Sequence, residues 1–461
     1  MPRRTTRETT LRDIWQHQAF NRLPLLTDEG ISVAVRFPGT PNADGGPDFT
    51  DARIRIGSVL ARGDVELHAQ SASWHAHGHD ADPHYNRVIL HAVLRPGRRT
   101  HAPRTASGRA VPQVVLSGHV DLRRLPARPR RPGEICLASG ARVSPLLLHR
   151  KLRRLGKRKI AARVRALALR LDQIMSEATV NPWGQLLYEC LMEGMGYSKN
   201  RRPFLALARS LPIARVAAAA GGDAHAAEAL LFGEAGLLPP SRSISDKESR
   251  GYVRCQRRRW RSLRGEPRGT LCEADWLFFR MRPANFPTAR LAGLCRLIPL
   301  IAGEGALERV LAPLERPEAT PGAALREIRN LFAVRAAGFW SRHVHFRARG
   351  GRVRIGRERI HDLVFNAVVP LALLRARREG DTALARRALA LLEAMPGGFL
   401  PSALADMERR LGRATLAGRL AREGALRLRA RYCLRLLCGR CPALRRSRRR
   451  SPGRTWSSRR P

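Results

Sequence analysis

The chain has 461 residues, of which 44% are hydrophobic, and it carries a formal net charge of +47 at pH 7. That apolar share excludes a wholly disordered chain, and the length allows two or three domains. With 85 Lys and Arg against 38 Asp and Glu, the surface is expected to attract polyanions, of which nucleic acid is the commonest in a cell. The open alternative is that the arginine content reflects a GC-rich coding sequence.

Residues 1–120 predict a compact α/β domain. The apolar positions over 9–20 have helix-like spacing, and strands are predicted over 31–36, 51–57 and 59–69. A polar, turn-rich piece over 71–86 precedes a buried strand at 88–94, and 114–116 is a candidate for one more. This order predicts a mixed sheet with a flanking helix.

The remainder of the chain is predicted to be mainly helical. Residues 121–170 form a basic linker and helix, and 171–444 form a helical domain with a small hairpin near 344–355, around Gly350-Gly351. The basic residues 445–461 lack apolar periodicity and are expected to be disordered. The predicted fold class is therefore α+β, with an N-terminal α/β domain and a mainly α-helical C-terminal domain.

The sequence predicts a cytoplasmic protein. No signal peptide follows the N-terminus, and no run approaches the roughly 18 apolar residues that span a bilayer. The eight cysteines are mostly scattered singly, which is typical of reduced thiols. We therefore expect a soluble, cytoplasmic protein without a membrane partner, and the oligomeric state stays open.

Polar residues on two neighbouring predicted strands form the first candidate site. Asp48 begins one strand, and strand periodicity puts Glu66 and His68 on one face of the next. Two carboxylates suit a hard cation such as Mg²⁺ or Mn²⁺, which would polarise a phosphodiester and activate water. His68 is a general base, a phosphate contact or a further ligand. The alternative is a Pro-Asp turn followed by a strand that ends in solvated polar groups.

This arrangement resembles the PD-(D/E)XK nuclease superfamily in strand order, in Pro47-Asp48 at the start of the second strand and in Glu66 on the third. The resemblance implies nucleic-acid cleavage with Mg²⁺ or Mn²⁺, with Asp48 and Glu66 as metal ligands. His68 stands where the superfamily usually has lysine. An uncharged imidazole does not replace the fixed charge of lysine, so a non-catalytic nucleic-acid-binding or scaffold protein is the alternative.

A histidine-rich loop follows directly and offers closely spaced imidazoles and carboxylates. This ligand set is typical of zinc or manganese sites, and its members are His75, His77, His79, Asp80 and Asp82. The loop looks like the His-x-His-x-Asp-His loop of metallo-β-lactamase-type hydrolases, with the last two residues exchanged. That likeness implies a metallohydrolase acting on a small molecule. The same residues could flank a phosphate or be solvated, and His91 is expected to be a hydrogen-bonded core histidine.

Two further candidate sites lie in the C-terminal half. Three closely spaced cysteines, Cys433, Cys438 and Cys441, could bind zinc or an iron–sulfur cluster, with a fourth ligand from elsewhere. The alternative is three thiols on a terminal helix. Arg280, Arg282 and Asn285 surround a rigid turn and could grip a nucleic-acid phosphate. In the alternative reading, the arginines cap helix carbonyls and Asn285 orders the turn.

Segments across nearly the whole chain resemble the bacterial family known as domain of unknown function 2851. They include Gly46-Pro47-Asp48-Phe49, Gly63-Asp64-Val65-Glu66-Leu67-His68 and Arg282-Pro283-Ala284-Asn285-Phe286-Pro287. This resemblance implies a family and no function. Taken together, the residues predict a metal-dependent nuclease or phosphodiesterase with nucleic acid as its partner.

Overall fold

The computed structural model describes residues 8–443 except 22, 43–44, 98–101, 125–143, 178, 198, 222, 264–270, 279–280, 399–401, 435–436 and 438–439. Cys438, Arg280, the predicted linker around 125–143 and the basic tail 445–461 lie outside the described residues. Within them, an N-terminal mixed sheet is followed by a mainly helical region. The predicted α+β class is confirmed.

The N-terminal region is built on a seven-stranded sheet. Helix α1 (Glu8–His17) precedes β1 (Leu25–Leu26), β2 (Ser32–Phe37), β3 (Thr40–Pro41), β4 (Phe49–Ile56) and β5 (Val59–Gln70). Helix α2 (Ser73–Ala76) and a 3₁₀ turn (Pro83–Tyr85) lead to β6 (Val88–Arg95) and β7 (Gln113–Val115). The strand order is β1-β2-β4-β5-β6-β7, with β3 paired to β4. Strands β2, β4 and β5 are antiparallel, whereas β5, β6 and β7 run parallel.

Helix α1 covers one face of this sheet. Its residues Leu11, Ile14 and Trp15 recur at helical spacing and pack against Val65 and Leu67 of β5. Burying side chains of this size contributes about 1.5–3 kcal/mol each to folding. Because strand residues alternate between faces, the intervening residues of β5 point to the opposite face of the sheet.

The rest of the described chain is mostly helical. The helices are α3 (Pro145–Ser176), α4 (Pro182–Met195), α5 (Arg201–Ser210), α6 (Ile213–Ala220), α7 (Ala224–Glu234), α8 (Lys247–Leu263), α9 (Pro287–Cys295), α10 (Ile298–Ile301), α11 (Ala306–Glu315), α12 (Pro321–Phe332), α13 (Arg357–Leu363), α14 (Val369–Glu379), α15 (Thr382–Ala394), α16 (Ser402–Leu411) and α17 (Gly418–Leu428). A π-helical turn at Val364–Val368 joins α13 to α14, and a 3₁₀ turn at Pro283–Asn285 precedes α9. Helix α3 has the capping chemistry of a helix start, since Ser144 Oγ accepts from the Leu147 amide at 3.2 Å and Pro145 follows it.

Helices α3 and α17 cross with their backbones in contact. A Cβ on Gly156 of α3 would lie 2.3 Å from the Leu420 carbonyl oxygen, and one on Gly424 of α17 would lie 1.9 Å from the Leu152 carbonyl oxygen. These two glycines therefore allow an approach that any side chain would block.

A two-stranded hairpin is present close to its predicted position. It consists of β8 (His343–His345) and β9 (Ala348–Arg349). The residues predicted as its second strand instead bridge to an earlier segment, through Arg354 and Arg335. The turn thus differs from the one predicted at Gly350-Gly351, because the Gly350 amide closes the end of the hairpin by donating to the Arg342 carbonyl at 2.9 Å.

Among the described residues, no single helix is both long and apolar enough to cross a bilayer. Helices α5 and α6, bent by 69° at their junction, pass that test only as a pair, by length and composition.

Candidate metal centre

A β-bulge lies in β4, close to Asp48. The β4–β5 register shifts between the pairs Phe49–Val65 and Ala52–Gly63, so two residues of β4 face one residue of β5. Asp51 lies in the bulge with φ of +57°, and its amide donates to Asp64 Oδ1 at 3.0 Å. The bulge interrupts regular pairing beside the start of β4, where Asp48 lies.

The carboxylates of Asp48 and Glu66 each accept a hydrogen bond from a backbone amide of the neighbouring chain segment. The Asp48 amide donates to Glu66 Oε2 at 2.9 Å, and the Leu67 amide donates to Asp48 Oδ2 at 3.2 Å. Arg12 of α1 places Nη1 3.5 Å from Asp48 Oδ1. The two predicted carboxylates therefore lie side by side, with the Glu66 side chain 8% exposed and that of Asp48 22% exposed.

The imidazoles of His68, His77 and His79 converge on one another, and those of His68 and His79 also face the second oxygen of Glu66. Glu66 Oε1 lies 3.5 Å from His68 Nε2 and 3.4 Å from His79 Nε2. His68 Nε2 is 3.1 Å from His77 Nδ1, and the three histidines each offer a nitrogen within 4.8 Å of the others. Ligands about 2.0–2.1 Å from a tetrahedral Zn²⁺ are about 3.3 Å apart. These three histidines could therefore hold a metal ion.

His91 supports this cluster from the neighbouring strand. Register pairs it with Glu66, and its Nε2 lies 2.9 Å from His68 Nδ1. In the tautomer in which His68 Nδ1 donates to His91, the lone pair is on His68 Nε2, the usual way in which an outer partner orients a metal-binding histidine. The expectation of a hydrogen-bonded core histidine is confirmed. Burial lowers the pKa of His68 to about 3 and the pKa of His91 to about 4, so both imidazoles are neutral at pH 7.

Aromatic rings enclose the histidines. Tyr85 stacks on His79 with ring centroids 3.7 Å apart, and Trp74 meets His79 edge-on at 5.3 Å. Burial raises the pKa of Tyr85 above its ordinary value, with the carboxylates Glu66, Asp82 and Asp48 adding to the effect. The rings fix the His79 imidazole and exclude water from one side of the cluster.

Comparison with known proteins identifies the family of this chain. The model of DUF2851, described as a protein of unknown function, matches residues 8–398. The chain belongs to this family. No curated protein and no solved structure gives a significant match. The histidine cluster of this DUF2851 protein lies wholly within the matched residues, as do α3 and α4.

The remaining polar residues of the histidine-rich loop pair among themselves outside the cluster. His75 Nδ1 lies 3.3 Å from Asp80 Oδ2, and His84 Nδ1 lies 2.7 Å from Asp82 Oδ1. These side chains are between 33% and 45% exposed. Of the loop residues predicted as ligands, the fold thus brings His79 to Glu66 and His77 to His68, and leaves His75, Asp80 and Asp82 paired outside the cluster.

The structure describes four of the C-terminal candidate residues of this DUF2851 protein, which are Cys433, Cys441, Arg282 and Asn285. Cys433 and Cys441 are buried in a small apolar core with Leu148 and Met407. Arg282 is exposed, and Asn285 Oδ1 accepts a hydrogen bond from Arg290, which also donates to the Tyr197 hydroxyl at 2.6 Å. Asn285 therefore orders its turn through a neighbouring arginine.

Sequence reasoning did not identify Arg12 or Tyr85 as members of the site. Arg12 follows Leu11 on α1, next to the buried stripe, and its length lets it reach Asp48. A long basic side chain bordering an apolar helix stripe is a weak signal for such a role. Tyr85 had a clearer signal, since a single aromatic residue in a polar turn often packs against a neighbouring site.

Proposed function

We propose that this protein is a metal-dependent phosphodiesterase that acts on nucleic acid. The observation that carries the proposal is the cluster of the His68, His77 and His79 imidazoles, with the Glu66 carboxylate against His68 and His79 and the Asp48 amide bonded to that carboxylate. The order of helix, three antiparallel strands, helical piece and parallel strand is also the order that the PD-(D/E)XK resemblance implies.

The donor set favours a first-row transition metal such as Mn²⁺ or Zn²⁺ over Mg²⁺. Imidazole nitrogens suit the softer divalent ions, whereas Mg²⁺ prefers oxygen ligands and retains its waters. A bound metal of this kind polarises a phosphodiester and lowers the pKa of an attacking water. Glu66, His68, His77 and His79 are the proposed ligands.

In this proposal, Asp48 is the general base and Arg12 supplies a positive charge. The Asp48 carboxylate is the more exposed of the pair, so it can align the attacking water and accept its proton. Arg12, 3.5 Å from Asp48, supplies a fixed positive charge. This charge stands in for the lysine that the superfamily usually has at the position of His68.

The substrate class follows from the arginines on the same face of the sheet. Arg53 pairs in register with Arg62, which alternates with Asp64 and Glu66 along β5. Arg53, Arg55, Arg62 and Arg87 are all exposed, and Arg62 and Arg87 contact Asp51 in the bulge. A row of guanidiniums beside a phosphodiesterase site would bind the backbone of a nucleic acid.

The proposal is tested by cleavage of single- and double-stranded DNA and of RNA by the full chain with added Mn²⁺, Zn²⁺ or Mg²⁺. Glu66→Gln and Asp48→Asn should each lower the rate by at least about 100-fold, because each removes a charge from the reaction centre. Glu66→Gln keeps an oxygen for the Asp48 amide, and an unchanged melting temperature checks that the protein folds.

His84→Gln is the matched control, since His84 lies in the same segment and pairs with Asp82 at the surface. It should retain full activity. Cleavage that survives both Glu66→Gln and Asp48→Asn would refute the proposal. Tight nucleic-acid binding without cleavage under any of the metals would favour the second candidate, a non-catalytic nucleic-acid-binding protein, which the arginine row also supports.

A third candidate is a metallohydrolase that acts on a small molecule, favoured by the three imidazoles. Elemental analysis separates it from the others. Metal that co-purifies and is lost in His79→Gln, in a protein with no affinity for nucleic acid, would support this candidate instead.

A further inference from the structure

The helical region contains a charged cavity outside the metal centre. It has a volume of about 460 Å³ and lies among α3, α4, α13 and α17. Its described lining includes six basic side chains, those of Lys159, Arg163, Arg201, Arg359, Arg419 and Arg422. It also includes four carboxylates, those of Glu193, Glu358, Asp362 and Glu423. Six cations against four anions leave an excess of two positive charges.

Most of the carboxylates are already used by more than one cation. Three of them each contact two: Glu193 contacts Arg163 and Arg201, Asp362 contacts Arg359 and Arg419, and Glu423 contacts Lys159 and Arg419. Arg359 and Arg419 are the buried members of the basic set, with side chains 8% and 9% exposed, and buried charge needs compensation by opposite charge. These shared carboxylates cannot neutralise all of their partners, so the excess favours an anion from outside the chain.

Arg359 is a buried basic residue in the cavity lining. It is 7% exposed, and its guanidinium stacks on the ring of Tyr197. Nη1 donates to the Gly194 carbonyl at 3.0 Å and lies 3.3 Å from Asp362 Oδ2, whereas Nη2 makes no hydrogen bond among the described residues. A ligand oxygen at Nη2 would complete the hydrogen bonds of this guanidinium. Burial lowers the pKa of Arg359 to about 10, so it stays charged at pH 7.

A π-helical turn forms part of the cavity wall. Asn366 lies in the turn Val364–Val368 and lines the cavity, and its carbonyl accepts from Arg163 Nε at 3.3 Å. Single π-turns inserted between α-helices are uncommon and frequent at functional sites. The turn thus adds an unusual backbone feature to the cavity that Arg359 lines.

The geometry points to a binding site for a compact phosphorylated small molecule, with its phosphate held by Arg359. A phosphate monoester carries about −1.5 to −2 charges at pH 7, which matches the excess of two in the cavity. The planar guanidinium presents parallel N–H groups that fit phosphate oxygens. The volume also allows a small organic group beside the phosphate.

Thermal unfolding of the full chain in inorganic phosphate, with NaCl at matched ionic strength, tests this site. Phosphate should raise the melting temperature beyond the NaCl series. Arg359→Gln should weaken the apparent phosphate affinity by about tenfold or more, since a charge-assisted hydrogen bond is lost. Arg413→Gln is the control, because that side chain is 93% exposed and should leave the affinity unchanged.

A second variant covers the case in which Arg359→Gln fails to fold. Arg422→Gln removes a charge that lines the cavity from α17, and it should also weaken the phosphate response. An equal response of wild type and both cavity variants would overturn the site. A response to NaCl or to succinate as large as the response to phosphate would overturn the assignment to a phosphorylated ligand.

Discussion

The two carboxylate oxygens of Glu66 make different contacts. Oε2 accepts the Asp48 amide and so ties the start of β4 to β5, while Oε1 faces His68 and His79. Replacing Glu66 by Asp would shorten the side chain and disturb both contacts, whereas Gln retains an acceptor for the amide. The choice of substitution therefore decides whether a loss of activity reports on chemistry or on strand pairing.

The neutral imidazoles predict an acid-sensitive fold in protein freed of metal by a chelator. Unfolded histidines protonate near pH 6.5, while folded His68 and His91 remain neutral to about pH 3 and 4. The unfolded state therefore binds more protons in this window, and the free energy of unfolding falls as the pH decreases. Urea unfolding between pH 4.5 and 7.5 should show the loss, and His91 alone corresponds to about 3 kcal/mol at pH 4.

His91→Gln should flatten this pH dependence. The control is His225→Gln, whose imidazole is 48% exposed, and it should leave the slope as it is in wild type. A slope unchanged by His91→Gln would mean that the buried cluster does not govern acid sensitivity.

Strand alternation was sufficient to predict that Glu66 and His68 share a face and that Asp48 approaches Glu66. It was insufficient for the histidine-rich loop. His77, although exposed, contacts His68, whereas His75 pairs with Asp80, at the point where α2 ends and Gly78 adopts φ of +68°. No periodicity in the sequence encodes that change of direction. The stacking of Tyr85 on His79 likewise depends on tertiary packing.

At the scale of elements, five of the seven strands of the N-terminal sheet were predicted within a few residues from their apolar pattern, whereas the two-residue strands β1 and β3 are too short to show one. The β4 bulge was not predicted, since its signal is a positive φ at Asp51, a residue that more often adopts negative φ. The long helix α3 was predicted from its basic segments, and the backbone contact at Gly156 was not, because that contact depends on a distant helix.

The crossing of α3 and α17 predicts a strong effect of Gly424→Ala. The added methyl group would overlap the Leu152 carbonyl, which belongs to a helix backbone and cannot move aside. Overpacking of this kind costs about 1–3 kcal/mol or more, which exceeds the gain of about 1 kcal/mol from replacing Gly by Ala in a helix. Denaturant unfolding should therefore show a net loss of stability.

Gly251→Ala is the matched control, because Gly251 lies inside α8 with no atom within 4 Å of an added Cβ. It should stabilise the protein by up to about 1 kcal/mol. If both substitutions shifted stability in the same direction, the close crossing would not be present in solution.

At the scale of the whole molecule, the charge predicts a measurable salt dependence. With the non-cleaving Glu66→Gln protein, the logarithm of nucleic-acid affinity should fall linearly with the logarithm of salt concentration, by about 0.9 for each duplex phosphate neutralised. Replacing Arg53 and Arg62 together by Gln should reduce that slope by about 2. Fluorescence anisotropy over a salt series measures it.

The control replaces Arg409 and Arg413, whose side chains are 73% and 93% exposed on the helical region. This pair should leave the slope unchanged. A slope near zero in wild type would mean that the basic composition reflects the coding sequence, and equal effects of both pairs would mean that binding is spread over the surface.

The contact between α3 and α17 also determines when the helical region can finish folding during synthesis. Lys159 and Glu423, which join these helices, are 264 residues apart in the sequence. At a synthesis rate of about 5–20 residues per second, α3 leaves the ribosome on the order of tens of seconds before its partner. During that time its apolar residues Leu148, Leu152 and Leu155 lack the C-terminal residues with which they form a core in the folded protein. The helical region is therefore completed late in synthesis, and until then α3 is a natural target for chaperones.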